Sequence, residues 1–218
     1  MTVYMNIEQL TEQEVIRRLA GGLLLDPYMI YPDLVHVEKY LPKIGTPAAV
    51  LIPLFLNEST WQVLYTRRTD DLPEHSGQVA FPGGRADPED VSLEATALRE
   101  SHEEIGIYPK DVQILGRLLN YTTITGYSVT PVVGIIPWPY PFHLAPQEVN
   151  RIFTVPLLWL ADPKNFDVIQ RELPPPKPPV TVIYYHRYDG EIVWGATARM
   201  TQAMLYVLGL LNQSKRPV

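Results

Sequence analysis

Apolar residues recur along this chain with two periods. Near the start, Ile7, Leu10, Val15, Ile16 and Leu19 form one stripe of a 3.6-residue helix over residues 6–20, with Thr11 and Glu14 spaced as a capping box and Gly21-Gly22 as its stop. Residues 23–47 carry Pro27, Pro32, Pro42 and Pro47 and read as an irregular lead-in. The unbroken apolar run at 48–56 predicts a buried strand, with Pro53 demoting part of it to an edge or a bulge. Residues 57–60 turn, and 61–67 return as its hairpin partner. A short strand at 78–81 runs into a glycine turn, Pro82-Gly83-Gly84, and a helix follows over roughly residues 92–105. Two further strands, 112–121 and 128–136, are separated by a turn at Thr125-Gly126, and the alternating prolines of 137–141 make a stiff loop. Residues 146–157 alternate polar and apolar side chains, which suggests a strand with Glu148 near its start. The proline run 174–179 is a surface connector, 180–188 and 192–194 flank a hairpin turn at Asp189-Gly190, and 197–212 close the chain as a core-packed helix.

Length adds that these elements suit one domain, residues 1–218, with the N-terminal and C-terminal helices packed on it. A net charge of −6 argues against nucleic acid and membrane surfaces as partners, because both require a broad basic footprint. Any anionic ligand must then be met by individually placed arginines. The absence of cysteine excludes disulfides, thiolate metal sites and cysteine nucleophiles, and it fits a reducing compartment. No leader-like segment and no membrane-length apolar run occur, so a cytoplasmic protein is predicted; a homodimer is compatible with the sequence.

Candidate chemistry concentrates at the end of the helix over 92–105. Glu100 and Glu104 lie four apart on one face, with Glu103 flanking them. Like charges at this spacing cost roughly 0.2–0.5 kcal/mol each, and Gly106 reads as the helix stop, where the macrodipole disfavours negative charge. A solvated acidic helix end is the default for such a run. The alternative is a bound cation, and oxygen-only ligands specify a hard one, Mg2+ or Mn2+.

The segment from Arg99 to Ile107, Arg-Glu-Ser-His-Glu-Glu-Ile-Gly-Ile, resembles the core of the Nudix hydrolase signature, G-x5-E-x7-R-E-U-x-E-E-x-G-U with U apolar. Ser101 occupies an apolar position of the pattern, and the loop from Gly84 is one residue longer, which makes Asp90 the best loop acid, with Asp87 or Glu89 as alternatives. Upstream, Leu64, Arg68, Gly77 and Phe81-Pro82-Gly83-Gly84 resemble L-L-T-x-R-[SA]-x3-R-x3-G-x3-F-P-G-G, the signature of the coenzyme A pyrophosphatase branch; Thr69 and Pro73 depart from it. The extra loop residue, Trp194 to Arg199 and the Glu148-Val149 segment are also similar to that branch, so the likeness spans about residues 48–199. Competing motifs fail. The glycines fit neither a dinucleotide fingerprint nor a P-loop, and His102-Glu103 lacks the second histidine of a metalloprotease.

The resemblance implies an α+β fold, the Nudix α/β/α sandwich with a mixed β-sheet and a catalytic loop-helix motif. It also implies hydrolysis of the diphosphate of a nucleoside diphosphate derivative with Mg2+ or Mn2+, coenzyme A or acyl-CoA giving 3',5'-ADP and 4'-phosphopantetheine. Alternatives within the same chemistry are ADP-ribose, dinucleotides and nucleoside triphosphates; a non-catalytic nucleotide-binding module is the alternative of another class. Carried over residue by residue, Glu100 and Glu104 are metal ligands, Glu103 is a third ligand or the base, Arg99 orients carboxylates, and Glu148 resembles a downstream ligand or base. Arg67 and Arg68 are candidates for substrate phosphates, since guanidinium forks match phosphate oxygens, and Gly83 and Gly84 would let backbone approach metals or phosphates.

Overall fold

The computed structural model describes residues 10–22, 45–71, 76–123 and 125–211. Helix α1, Glu12–Gly22, starts after Thr11, whose hydroxyl accepts the Glu14 N–H. Leu10 precedes the helix, and its carbonyl accepts from Trp61 Nε1 (2.6 Å). The lead-in at 23–44, the start of the expected first helix, and Pro73 and His75 lie outside the described residues.

One eight-stranded sheet forms the centre. Its main order is β3 (Val79–Ala80), β2 (Thr60–Arg68), β1 (Thr46–Asn57), β7 (Tyr127–Ile135) and β5 (Gln113–Arg117). Off this path, β4 (Gly83–Arg85) pairs with β1, β6 (Tyr121–Thr122) with β7, and β8 (Val149–Pro156) with β2. The β1–β7 pair is parallel and the rest are antiparallel, so the sheet is mixed. Alternation along β1 sorts the core into two layers. Ala49, Leu51 and Phe55 join Ala97 and Ile105 of helix α2 (Leu93–Ile105) on one face. Ala48, Ile52 and Leu54 join Val15 and Leu19 of α1 on the other face, together with Ala203 and Met204 of the C-terminal helix, Gly195–Val207. The result is the α/β/α sandwich of an α+β fold.

Four expectations are corrected. Pro53 is buried in a central strand, paired with Gly134 of β7. It is tolerated because its missing N–H faces the gap where the neighbour on β1's other edge changes from β4, ending at Val50, to β2, beginning at Leu54. Gly83 and Gly84 are not a turn but strand β4, opposite Val50 and Ala49. The segment before Val149, with Glu148, is a turn rather than the start of the strand. After the short helix α3, Leu157–Ala161, a strand the sequence pattern did not reveal, β9 (Phe166–Arg171), takes β10 (Val180–Tyr185) as its partner. Residues 191–194 share only isolated bridges with Tyr184 and Tyr188, so the hairpin at Asp189-Gly190 keeps its turn without becoming a ribbon. The C-terminal helix, hereafter α4, is tied to the sheet by Tyr65 Oη with Thr201 Oγ1 (2.9 Å) and by Thr197 Oγ1 donating to Val79 O (3.1 Å).

Candidate active site

Local chemistry sets α2 and its acids. Ser92 caps the helix by accepting from Ala95 N (3.1 Å), and Gly106, left-handed at φ 74°, ends it with its N–H on His102 O. Ser101 can occupy a fully buried position because its hydroxyl donates to Ala97 O (2.6 Å). With Ala97, Ser101 and Ile105 turned inward, Glu100 and Glu104 are carried to the flank that meets β4, while Glu103 stays more exposed.

Glu104 is 3% exposed. Its Oε2 accepts from Gly83 N (3.2 Å), and its nearest cation is Arg68 Nη1, 3.9 Å from Oε1. Burial pushes its pKa up to about 8; the Gly83 N–H and Arg68 oppose the shift, and the charges of Glu148 and Glu100 add to it. Glu100 packs directly over Gly84, where a Cβ would come within 2.5–2.7 Å of the carboxyl group and push it aside. Burial also raises Glu100, against the pull of Arg99. The glycine pair predicted to meet substrate is thus seen holding the two carboxylates.

Arg99 organises the rest. Its Nε and Nη2 grip Asp90 in a two-pronged contact, each at 3.0 Å. Nη1 reaches Glu100 (3.0 Å) and Glu103 (3.1 Å), and Nη2 also donates to Arg85 O (3.2 Å). All of the guanidinium donors are engaged within this loop and helix. Asp90 is the loop acid that the longer loop presents; it also accepts from Asp87 N and Thr96 Oγ1, both at 2.9 Å. The hydrogen bonds from Arg99 hold its carboxyl far below the usual carboxylate range. Asp87 stands 3.6 Å from the same guanidinium.

Glu148 reaches the cluster through backbone. His143 N donates to Ile105 O (3.0 Å) and Ala145 N to Glu104 O (2.9 Å), stapling the loop before β8 to the end of α2. Thr69 N on Glu148 O (3.0 Å) fixes it from the β2 side. Among the described residues its carboxylate has no hydrogen-bond or ion-pair partner, and its charge raises both Glu100 and Glu104. The two arginines diverge because successive strand residues face opposite ways. Arg68 turns to Glu104, and its Nε is buried without a partner among the described residues. Arg67 turns to the α4 side, pairing with Asp70 (2.7 Å) and Glu191 (3.6 Å).

The donor set of Glu100, Glu103, Glu104 and Glu148 is oxygen only, which suits a hard divalent cation. Among the described residues no three such groups form a ready-made cage, so the fit rests on donor chemistry and on buried, mutually repelling charge. Among these residues, too, no helix is long and apolar enough to cross a membrane.

A family model for the NUDIX domain matches residues 45–173. Proteins of Yersinia pestis (strain Pestoides F) and Yersinia pseudotuberculosis serotype O:1b, each named "Uncharacterized Nudix hydrolase NudL", are 40% identical over 171 residues, 77% of this chain and 82% of theirs. Among solved structures, a C. elegans Ap4A hydrolase complex is 22% identical over 51% of this chain and 80% of its own, with a TM-score of 0.44. The chain belongs to the Nudix hydrolase family. It is accordingly a pyrophosphatase-type hydrolase, in a family that generally works with divalent metal ions.

Proposed function

We propose that this chain hydrolyses the diphosphate of coenzyme A or its thioesters, releasing 3',5'-ADP and 4'-phosphopantetheine, with Mg2+ or Mn2+ bound by Glu100 and Glu104. The observation that carries the metal site is Glu104: a carboxylate this buried, beside Glu100 and Glu148, is unstable as an anion unless a cation joins it. A bound divalent ion neutralises phosphate charge and lowers the pKa of water. The chain's own groups divide the remaining work. Arg99 positions Glu100 and Glu103, Glu103 completes the ligand set, and Glu148, unpaired at the cluster's rim, accepts the proton of the attacking water. Arg68, whose Nη1 stands 3.9 Å from Glu104, receives a phosphate oxygen. As the water oxygen bonds to phosphorus, the bond to the bridging oxygen breaks and its electron pair leaves with the departing phosphate.

Support for coenzyme A comes from Leu64, Arg68, Gly77 and Phe81-Pro82-Gly83-Gly84, which stand on positions of the coenzyme A branch signature. The absence of cysteine suits the reducing cytoplasm in which this substrate would be met. The test is turnover, with magnesium or manganese, of coenzyme A, ADP-ribose, diadenosine polyphosphates and nucleoside triphosphates. Coenzyme A should be cleaved with the highest kcat/KM. Preferential cleavage of ADP-ribose or a dinucleotide would reject the substrate, and binding without turnover would reject catalysis.

A further inference from the structure

Strands β9 and β10 form a two-stranded sheet separate from the central one, and a ribbon of that size gains stability from further strands. Phe166 and Val168 of β9 pack on the core, so Asp167, Ile169 and Arg171 share the face turned away from it, where Ile169 is 49% exposed. The far edge of β10 is occupied: Tyr185 N donates to Val193 O (2.9 Å), and Tyr184 bridges to Trp194. Beyond β9, among the described residues, no strand follows. His186 N donates to Asn165 O (2.7 Å), which makes that pair a hydrogen-bonded position of the β9–β10 ladder. By alternation the backbone groups of Asp167, Ile169 and Arg171 point to β10, and those of Phe166, Val168 and Gln170 point out from the free edge. Among the described residues these outward groups have no backbone partner. A row of unpaired N–H and C=O groups is a template for another strand.

The side chains of this edge are complementary to themselves. Two copies of β9 can pair antiparallel only in registers that set outward groups against outward groups, so neighbouring registers differ by two residues. In one of them Ile169 lies opposite Ile169 of the second copy. Val168 then exchanges backbone hydrogen bonds with Gln170 of that copy, and Asp167 stands opposite its Arg171, with the same pairings repeated across the axis. A slip of two residues in either direction sets Ile169 against a charged side chain, Asp167 or Arg171. We propose that β9 pairs with β9 of a second copy about a two-fold axis at Ile169, joining the two ribbons into one four-stranded sheet. Apolar contact at the centre and opposite charges on both sides select this register over its neighbours.

Sedimentation velocity of the full chain over a range of concentrations tests this without reference to catalysis. The wild type should sediment as a dimer. Asp167→Arg sets like charges across the axis and should raise the dimer Kd about tenfold; combining it with Arg171→Asp should restore the wild-type value. Gln170→Pro removes an outward N–H that the single chain does not use, so it should abolish the dimer while circular dichroism stays unchanged. Because the chain has no cysteine, one introduced thiol reads the register. Ile169→Cys faces itself in a non-hydrogen-bonded pair with Cα atoms about 4.5 Å apart, within reach of a disulfide, and should cross-link under mild oxidation. Arg171→Cys, which faces Asp167, should not. A wild type that stays monomeric would leave this edge to solvent or a different chain and overturn the proposal. A dimer indifferent to Gln170→Pro, or equal cross-linking at 169 and 171, would overturn it as well.

Discussion

Helices α1 and α2 each interlace acids with arginines, but they pair them differently. In α1 two arginines, Arg17 and Arg18, share the single acid Glu14 at 2.6–2.7 Å, and their hydrogen bonds lower the Glu14 pKa to about 2. In α2 one arginine, Arg99, serves Asp90, Glu100 and Glu103, while Glu104 beside them has its nearest cation at 3.9 Å. In the first arrangement the acid is fully paired. The second is short of positive charge and partly buried, which is the condition of a site completed by a cation. A stable helix end and a functional one can thus be told apart by which sign is left over.

The largest break in this contrast is Glu104→Gln. Removing the most buried ligand should lower kcat by about two to three orders of magnitude, the scale of one preorganised electrostatic group. In the metal-free protein it should also stabilise the fold at alkaline pH. With the folded pKa raised from 4.5 to about 8, folding takes up a proton in that window, so wild-type stability falls as pH rises through it, by up to about 1.4 kcal/mol per unit. The glutamine variant should lose that slope, and added magnesium should cancel the wild-type loss; denaturant unfolding at several pH values reads both.

Gly84→Ala comes next. Its Cβ would displace the Glu100 carboxyl, and a misplacement near 1 Å costs about a hundredfold in rate. A near-normal rate, with circular dichroism unchanged, would remove Glu100 from the site. Arg99→Lys keeps the charge but not the fork on Asp90, and should cost about 10- to 100-fold in metal-dependent activity or metal affinity, measured by titrating magnesium. The smallest effect belongs to Glu14→Gln, which should lower Tm slightly and leave kcat/KM unchanged, because its partly exposed ion pairs sit on the sheet face opposite α2.

Much of this organisation was legible from neighbours in sequence. Thr11 and Gly106 act through bonds within a few residues, so the cap and the stop are where the pattern placed them. The helical period likewise placed Arg99 next to Glu103. The divergence of Arg67 from Arg68 was also readable, since strand residues alternate, although both were assigned to one ligand. Pro53 misled because a strand's tolerance of proline depends on which neighbour faces its nitrogen, and that neighbour changes at Leu54. Strand β9 carried too few buried positions to stand out, with four of its six residues exposed.

What the sequence determined by itself is the acidic helix turn, because a 3.6-residue period and two terminal signals bring Glu100, Glu103 and Glu104 together whatever surrounds them. Only the tertiary structure decided that Glu104 is buried under Gly83, that Asp90 is the acid Arg99 holds, and that Glu148 joins the cluster through the bonds of His143 and Ala145 to the end of α2. The physical reason is range: a helix period acts over one turn, whereas burial and the pairing of distant carboxylates depend on which elements the sheet sets side by side.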